Sequence, residues 1–134
     1  MEVKEIIHPG MTLEITFVVE EKHMAPHLGS GSLRVLATPI MISFMEGASH
    51  QLLAQHLPEG YSSVGTHVDV QHLAATPLGC KVRVKTEVVG VDGIRVQFNV
   101  NAWDEQEQIG SGMHERAVID HARFMRRIAS KSAS

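Results

Sequence analysis

Between Thr38 and Leu57 the chain places Ile40, Met41, Ile42, Phe44, Met45, Ala48, Leu52, Leu53 and Leu57 at helical spacing. The first half of this stretch is apolar nearly all round, which predicts a helix buried on most of its sides. The second half is amphipathic, with Ser49, His50, Gln51, Gln55 and His56 on the wetter face. Thr38-Pro39 supplies a start, because threonine can cap free backbone N–H groups and proline is tolerated in the first turn. Leu57-Pro58-Glu59-Gly60 supplies the stop. A helix of this kind needs other structure wrapped around it.

The rest of the chain supplies strands. Thr12 to Glu20 alternates apolar and polar residues. His23 to Ser32 is rich in Gly, Ser, Pro and His and reads as a loop. After the helix, Ser63 to Ala74 sets Val64, Val68 and Val70 against His67, Asp69 and Gln71. Cys80 to Val91 sets Val82, Val84, Thr86 and Val88 against charged residues. Asp92-Gly93 is a hairpin turn into Ile94 to Trp103. Gln106 to Gln108 is a second turn, Ile109 to Asp120 a fifth strand, and Asp120 to Lys131 a short C-terminal helix. The expected order is strand, buried helix, then four strands in a meander.

One sheet with one apolar face needs one covering element, and only the central helix is long enough. The α+β fold this predicts is a five-stranded antiparallel sheet wrapped round one long central helix, with a short C-terminal helix. This is the hotdog architecture, with residues 1–134 as a single domain. Such a sheet leaves long edges, which proteins pair or cover. The strand Ser63 to Ala74 is expected to pair with its copy in a symmetric dimer.

Composition removes several function classes. A net charge of −3 and 4 % aromatic residues argue against a nucleic-acid partner. A single cysteine, Cys80, excludes an internal disulfide framework, and no Cys-x-x-Cys pair offers a zinc site. The longest apolar stretch, Pro39 to Ala48, is too short to span a membrane. The charged start, Met1 to Glu5, does not read as a signal peptide, so a cytoplasmic protein is expected. No phosphate loop and no Gly-x-Ser-x-Gly elbow is present. No metal and no cofactor is expected.

Glu46 is the most informative residue, a carboxylate on the apolar half of the helix. Burying it unpaired is costly, so it needs a partner or a use. The alternative is a narrow solvated stripe shared with Ser43 and His50. His72 has the parity of Val68 and Val70 and is expected to face the helix. It is either a site residue or a core histidine satisfied by the backbone. His23, His27, His50 and His56 read as surface residues, and Cys80 as structural.

The stretches Leu36-Ala37-Thr38-Pro39 and Met45-Glu46-Gly47-Ala48 resemble the hotdog-fold thioesterases of the fluoroacetyl-CoA thioesterase type. So do Ser63-Val64-Gly65-Thr66, His72-Leu73-Ala74-Ala75-Thr76-Pro77, and the run Ile109-Gly110-Ser111-Gly112-Met113-His114-Glu115-Arg116-Ala117-Val118-Ile119. The resemblance extends from about Gly10 to about Arg126. It implies hydrolysis of a small acyl-CoA at a subunit interface of a homodimer or higher oligomer. It assigns Thr38 to orienting Glu46, Glu46 to attack on the thioester carbonyl or on water, and His72 to acid/base work. Gly65 matches a glycine close to the thioester, and Arg116 an arginine near the CoA end. In that family, selectivity for fluoroacetyl-CoA goes with a phenylalanine-rich lid before the helix. Here Leu28-Gly29-Ser30-Gly31-Ser32-Leu33 holds no aromatic residue, so a different or broader acyl group is expected. The rival readings are a non-catalytic acyl-CoA-binding module and an enoyl-CoA hydratase on the same fold.

Overall fold

The computed structural model describes residues 1–132. Five strands are present: β1 (Thr12–Val18), β2 (Tyr61–His72), β3 (Lys81–Asp92), β4 (Arg95–Trp103) and β5 (Gln108–Asp120). The helices are a single turn α1 (Ala25–Leu28), the central α2 (Thr38–Ala54) and α3 (His121–Ser132). The segment expected to be a plain loop therefore contains α1, with Pro26 in its first turn and Gly29 closing it at φ 73°. The 3₁₀ turn Glu21–His23 precedes it, held by reciprocal hydrogen bonds between Glu20 and His23. His23 is half-buried, its ring edge-on to Phe44 at 5.2 Å, and so is not the surface residue expected.

The sheet is antiparallel with strand order β1-β3-β4-β5-β2. Only β3, β4 and β5 form a meander. β2 lies beyond β5 at the far edge, so the expected four-strand meander is corrected. The connection from β2 to β3 crosses the width of the sheet, which leaves β2 an edge strand with one side unpaired. The β3–β4 loop is Gly93-Ile94, one residue later than expected. Gly93 sits at φ 62°, as the first position of a primed hairpin turn requires.

The apolar alternation of β3 and β4 holds. Val82, Val84, Val88, Val96, Phe98, Val100 and Ala102 are fully buried. They face Met41, Phe44, Met45, Ala48, Leu52 and Leu53 of α2. Each such side chain contributes about 1.5–3 kcal/mol on burial. Phe44 stacks on Phe17 of β1 at 4.2 Å. Ser49, expected on the wetter face, is buried. Its hydroxyl donates to the Met45 carbonyl at 2.9 Å and shares a hydrogen bond with Thr86 at 2.8 Å.

β2 departs from simple alternation. Its register against β5 shifts between Gly65 and His67, so Thr66 is the extra residue of a bulge. Gly65 opposes Arg116, Val68 opposes His114, Val70 opposes Gly112 and His72 opposes Gly110. These pairs share the helix-facing side, because directly opposed residues lie on one face. Val64 opposes Ala117 on the other side, so it does not share a face with Val68 and Val70 as expected. No helix among the described residues is long and apolar enough to cross a membrane.

Candidate active site

Thr38 is the first residue of α2, and Ala37 precedes it as the cap without a side-chain hydrogen bond. Threonine is therefore not the cap expected. Its backbone is already helical and its hydroxyl is free for another partner. That partner is His72, whose Nδ1 lies 2.7 Å from Thr38 Oγ1. Burial pushes the His72 pKa below the ordinary 6.5 and favours the neutral ring. The other ring nitrogen, Nε2, is buried without a hydrogen-bond partner. Such an orphan costs about 1–3 kcal/mol, and a ligand or water that fills the site removes the cost. The pair lies on a cavity of about 650 Å³, lined also by Gly31, Leu33, Val35 and Ala74.

Glu46 stands eight residues further along α2, a rise of about 12 Å at 1.5 Å per residue. Its Oε2 lies 3.7 Å from Arg116 Nη1, and its side chain is 41 % exposed while that of Arg116 is 8 % exposed. The carboxylate is thus partnered and still open to a ligand. Ser43 and His50, at helical spacing beside it, are exposed. Both expectations for Glu46 hold in part: it borders a solvated stripe, and it has a buried cationic partner. The hydrogen bond expected from Thr38 to Glu46 is not formed, and Thr38 bonds to His72 instead.

Arg116 is held from three sides. Its Nε donates to Ser63 Oγ at 2.9 Å, Nη2 to the Ser63 carbonyl at 3.2 Å, and Nη1 to His114 Nε2 at 3.2 Å. Burial lowers its pKa below the ordinary guanidinium value, with Glu46 opposing that shift. Gly65 explains itself sterically. A Cβ there would lie 2.6 Å from Glu46 Oε2 and 3.5 Å from Arg116 Nη1. No other residue leaves the carboxylate this close to the strand backbone.

Two groups of residues result. Thr38 and His72 share one end of α2. Glu46, Gly65 and Arg116 gather near its middle, with Ser63 and His114, which sequence reasoning did not single out. Parity is a signal that could have found His114: it alternates with Gly112, Arg116 and Val118 on the helix-facing side of β5. His67 and Asp69 are exposed on the opposite side, and His67 contributes only its carbonyl.

Several known proteins resemble this chain in sequence and fold. The profile of the fluoroacetyl-CoA-specific thioesterase family, FlK, matches residues 19–122. The fluoroacetyl-CoA thioesterase of Streptantibioticus cattleyicolor is 42 % identical over 98 residues, which are 73 % of this chain and 70 % of that protein. A solved structure of the fluoroacetyl-CoA thioesterase FlK superposes with a TM-score of 0.88 at 36 % identity, covering 93 % of this chain and 97 % of the other. A mutant of that enzyme in complex with fluoroacetate and CoA gives 0.83 at 38 % identity, covering 88 % and 99 %. A hot-dog-like protein from Thermanaerovibrio acidaminovorans gives 0.89 at 24 % identity over 98 % and 97 %, a likeness of fold alone.

Proposed function

Because the chain belongs to the fluoroacetyl-CoA-specific thioesterase family, we propose that it hydrolyses a small acyl-CoA with Glu46, His72 and Thr38 as its catalytic residues. It is an acyl-CoA thioesterase, and the Streptantibioticus cattleyicolor protein and FlK are fluoroacetyl-CoA thioesterases. The observations that support the residue assignment are a reachable carboxylate and a neutral histidine with one ring nitrogen unpartnered. Glu46 supplies the carboxylate, and His72 keeps one ring nitrogen without a partner.

In this mechanism a Glu46 oxygen attacks the thioester carbonyl, or takes a proton from water that does so. The carbonyl electrons move to oxygen, and their return breaks the C–S bond. CoA leaves as the thiolate and takes its proton afterwards from the imidazolium or the Glu46 carboxyl that water has protonated. If an anhydride on Glu46 has formed, His72 then accepts a proton from the water that opens it. Thr38 fixes the imidazole by its 2.7 Å hydrogen bond. Gly65 brings backbone close to the carbonyl, where an N–H group can stabilise the developing oxyanion. Arg116 holds the Glu46 side chain in place and meets the CoA side of the substrate.

Two features support a site completed by a second copy of the chain. Glu46 stands about 12 Å along α2 from Thr38, the residue to which His72 is bonded. β2 also presents an unpaired edge, with Val68 38 % exposed and Leu73, just past its end, 51 % exposed. Antiparallel pairing of β2 with its copy turns the His72 end of one strand toward the Gly65 end of the other. Glu46 then shares a site with the imidazole from the partner. A single-domain, cytoplasmic homodimer completes this reading.

No Phe, Tyr or Trp lines the cavity, whose walls beside Thr38, Pro39 and His72 are glycine, serine and aliphatic side chains. That supports an acyl group other than, or broader than, fluoroacetyl. The test is thiol release from a panel of acetyl-, fluoroacetyl-, propionyl- and butyryl-CoA. Turnover of one or more of these supports the reading. Tight binding of all of them without thiol release contradicts it.

A further inference from the structure

His114 is a buried imidazole whose two ring nitrogens are both committed. Nδ1 is 2.8 Å from the carbonyl of His67, just past the β2 bulge, and Nε2 is 3.2 Å from Arg116 Nη1. A carbonyl can only accept and a guanidinium can only donate. The proton therefore resides on Nδ1, and Nε2 receives the arginine hydrogen bond. The same Nη1 is the guanidinium nitrogen 3.7 Å from Glu46 Oε2. A Cβ on Gly65 would lie 3.4 Å from the imidazole Cε1, so the ring, the guanidinium and the carboxylate all meet at one glycine.

We propose that His114 is a positioning residue of the thioesterase site, which sets the Arg116 guanidinium against Glu46 only while its own ring is neutral. The inference rests on the reading of Glu46 as the catalytic carboxylate. Protonation would replace the Nε2 lone pair by an N–H aimed at the guanidinium. Two cations would then face each other across a hydrogen-bond distance, and Arg116 would move off Glu46.

The groups around the ring can be enumerated. Glu46 faces it from α2, Arg116 and Glu115 from β5, and the His67 carbonyl from β2. From β4 it meets the uncharged ring of Phe98, at 6.0 Å. Burial depresses the His114 pKa most strongly. The His67 hydrogen bond opposes this, Arg116 adds to it, and the two carboxylates oppose it weakly. The ring is thus neutral at neutral pH, as its hydrogen bonds demand.

The inference makes two readouts distinct from a structural role. Below pH 6.5, His72 and His114 must both be neutral for activity. The slope of log kcat/KM against pH on the acid side therefore approaches about two. His114→Gln retains a donor and an acceptor but cannot titrate, and it should lower that slope to about one while keeping measurable turnover. His114→Phe fills the volume without either bond. Its kcat should fall by about 10- to 100-fold, the scale of a misplaced reacting group. The acid-side slope of His114→Gln staying at the wild-type value, or His114→Phe turning over at the wild-type rate, overturns the inference.

A measurement on the unaltered protein guards against variants that fail to fold. Imidazole ¹⁵N shifts should show His114 as the neutral Nδ1–H tautomer at pH 7, titrating below 6.5. A neutral Nε2–H tautomer overturns the inference even if thiol release is robust. Absence of thiol release from the wild-type protein instead overturns the thioesterase reading, and the ¹⁵N result still stands on its own.

Discussion

Glu46 differs from the other ion-paired carboxylates of the described residues in the partner it meets. The Lys4–Glu2, Lys22–Glu20, Arg34–Glu21 and Arg83–Glu14 pairs join exposed side chains, which contribute little, and Glu115 meets the exposed Arg95. Arg116 is buried and fixed by Ser63 and His114, so its contact with Glu46 has a defined geometry. Glu46→Gln keeps the shape and removes the nucleophile or base. Its kcat should drop by about 10²-fold or more, the lower range for a positioned acid/base, with circular dichroism unchanged. His72→Ala should lose a similar amount. The acid limb of kcat/KM should have its midpoint below 6.5, because burial lowers the His72 pKa and only the neutral ring can accept a proton. A midpoint above 6.5 would contradict that assignment. As members of the proposed site, Thr38, Glu46, Gly65, His72 and Arg116 were suggested by a motif resemblance in the sequence. The partner of Thr38 was not, because a threonine before proline reads as a cap until the helix boundary is seen.

The β2 bulge is the element that gives the site its shape. Thr66 donates to Glu115 at 2.6 Å, and Arg95 and Gln97 reach the same carboxylate at 2.8 and 3.2 Å. These donors, Thr66 first, hold the Glu115 pKa at about 2, below the ordinary 4.5. The folded chain therefore releases this proton more readily than the unfolded chain. Its stabilising contribution is complete above about pH 4.5 and is lost as pH falls toward about 2. Glu115→Gln should lower the urea midpoint at pH 7, and the gap to wild type should close as pH drops through that window. A gap that is constant with pH would contradict the role given to Glu115. Strand existence was legible from alternation in β1, β3 and β4. The bulge was not, because Val64 continues the apparent parity of Val68 and Val70. Strand order was hidden too, since alternation says which residues face the core and nothing about which strand lies alongside.

At the scale of the molecule, the open edge of β2 and the division of the site along α2 have a common resolution in a dimer. Sedimentation at micromolar concentration should give about twice the chain mass of 14.7 kDa, as closed two-fold symmetry requires. Val68→Lys places a charge on the exposed edge, a device that blocks strand pairing. It should yield a monomer without thioesterase activity, and an active monomer would contradict the shared site. The wrapped sheet and its central helix were legible from one apolar helix and five strands. The separation of Glu46 from His72 became visible only with the helix in place. The central claim is most directly tested by mixing two inactive variants, Glu46→Gln and His72→Ala, under conditions that exchange subunits. In a mixed dimer one site carries both substitutions and the other carries neither. Random pairing therefore predicts recovery of about one quarter of wild-type thioester turnover. Activity that stays at the sum of the two separate variants, with exchange verified, would contradict a site built from Glu46 of one subunit and His72 of the other.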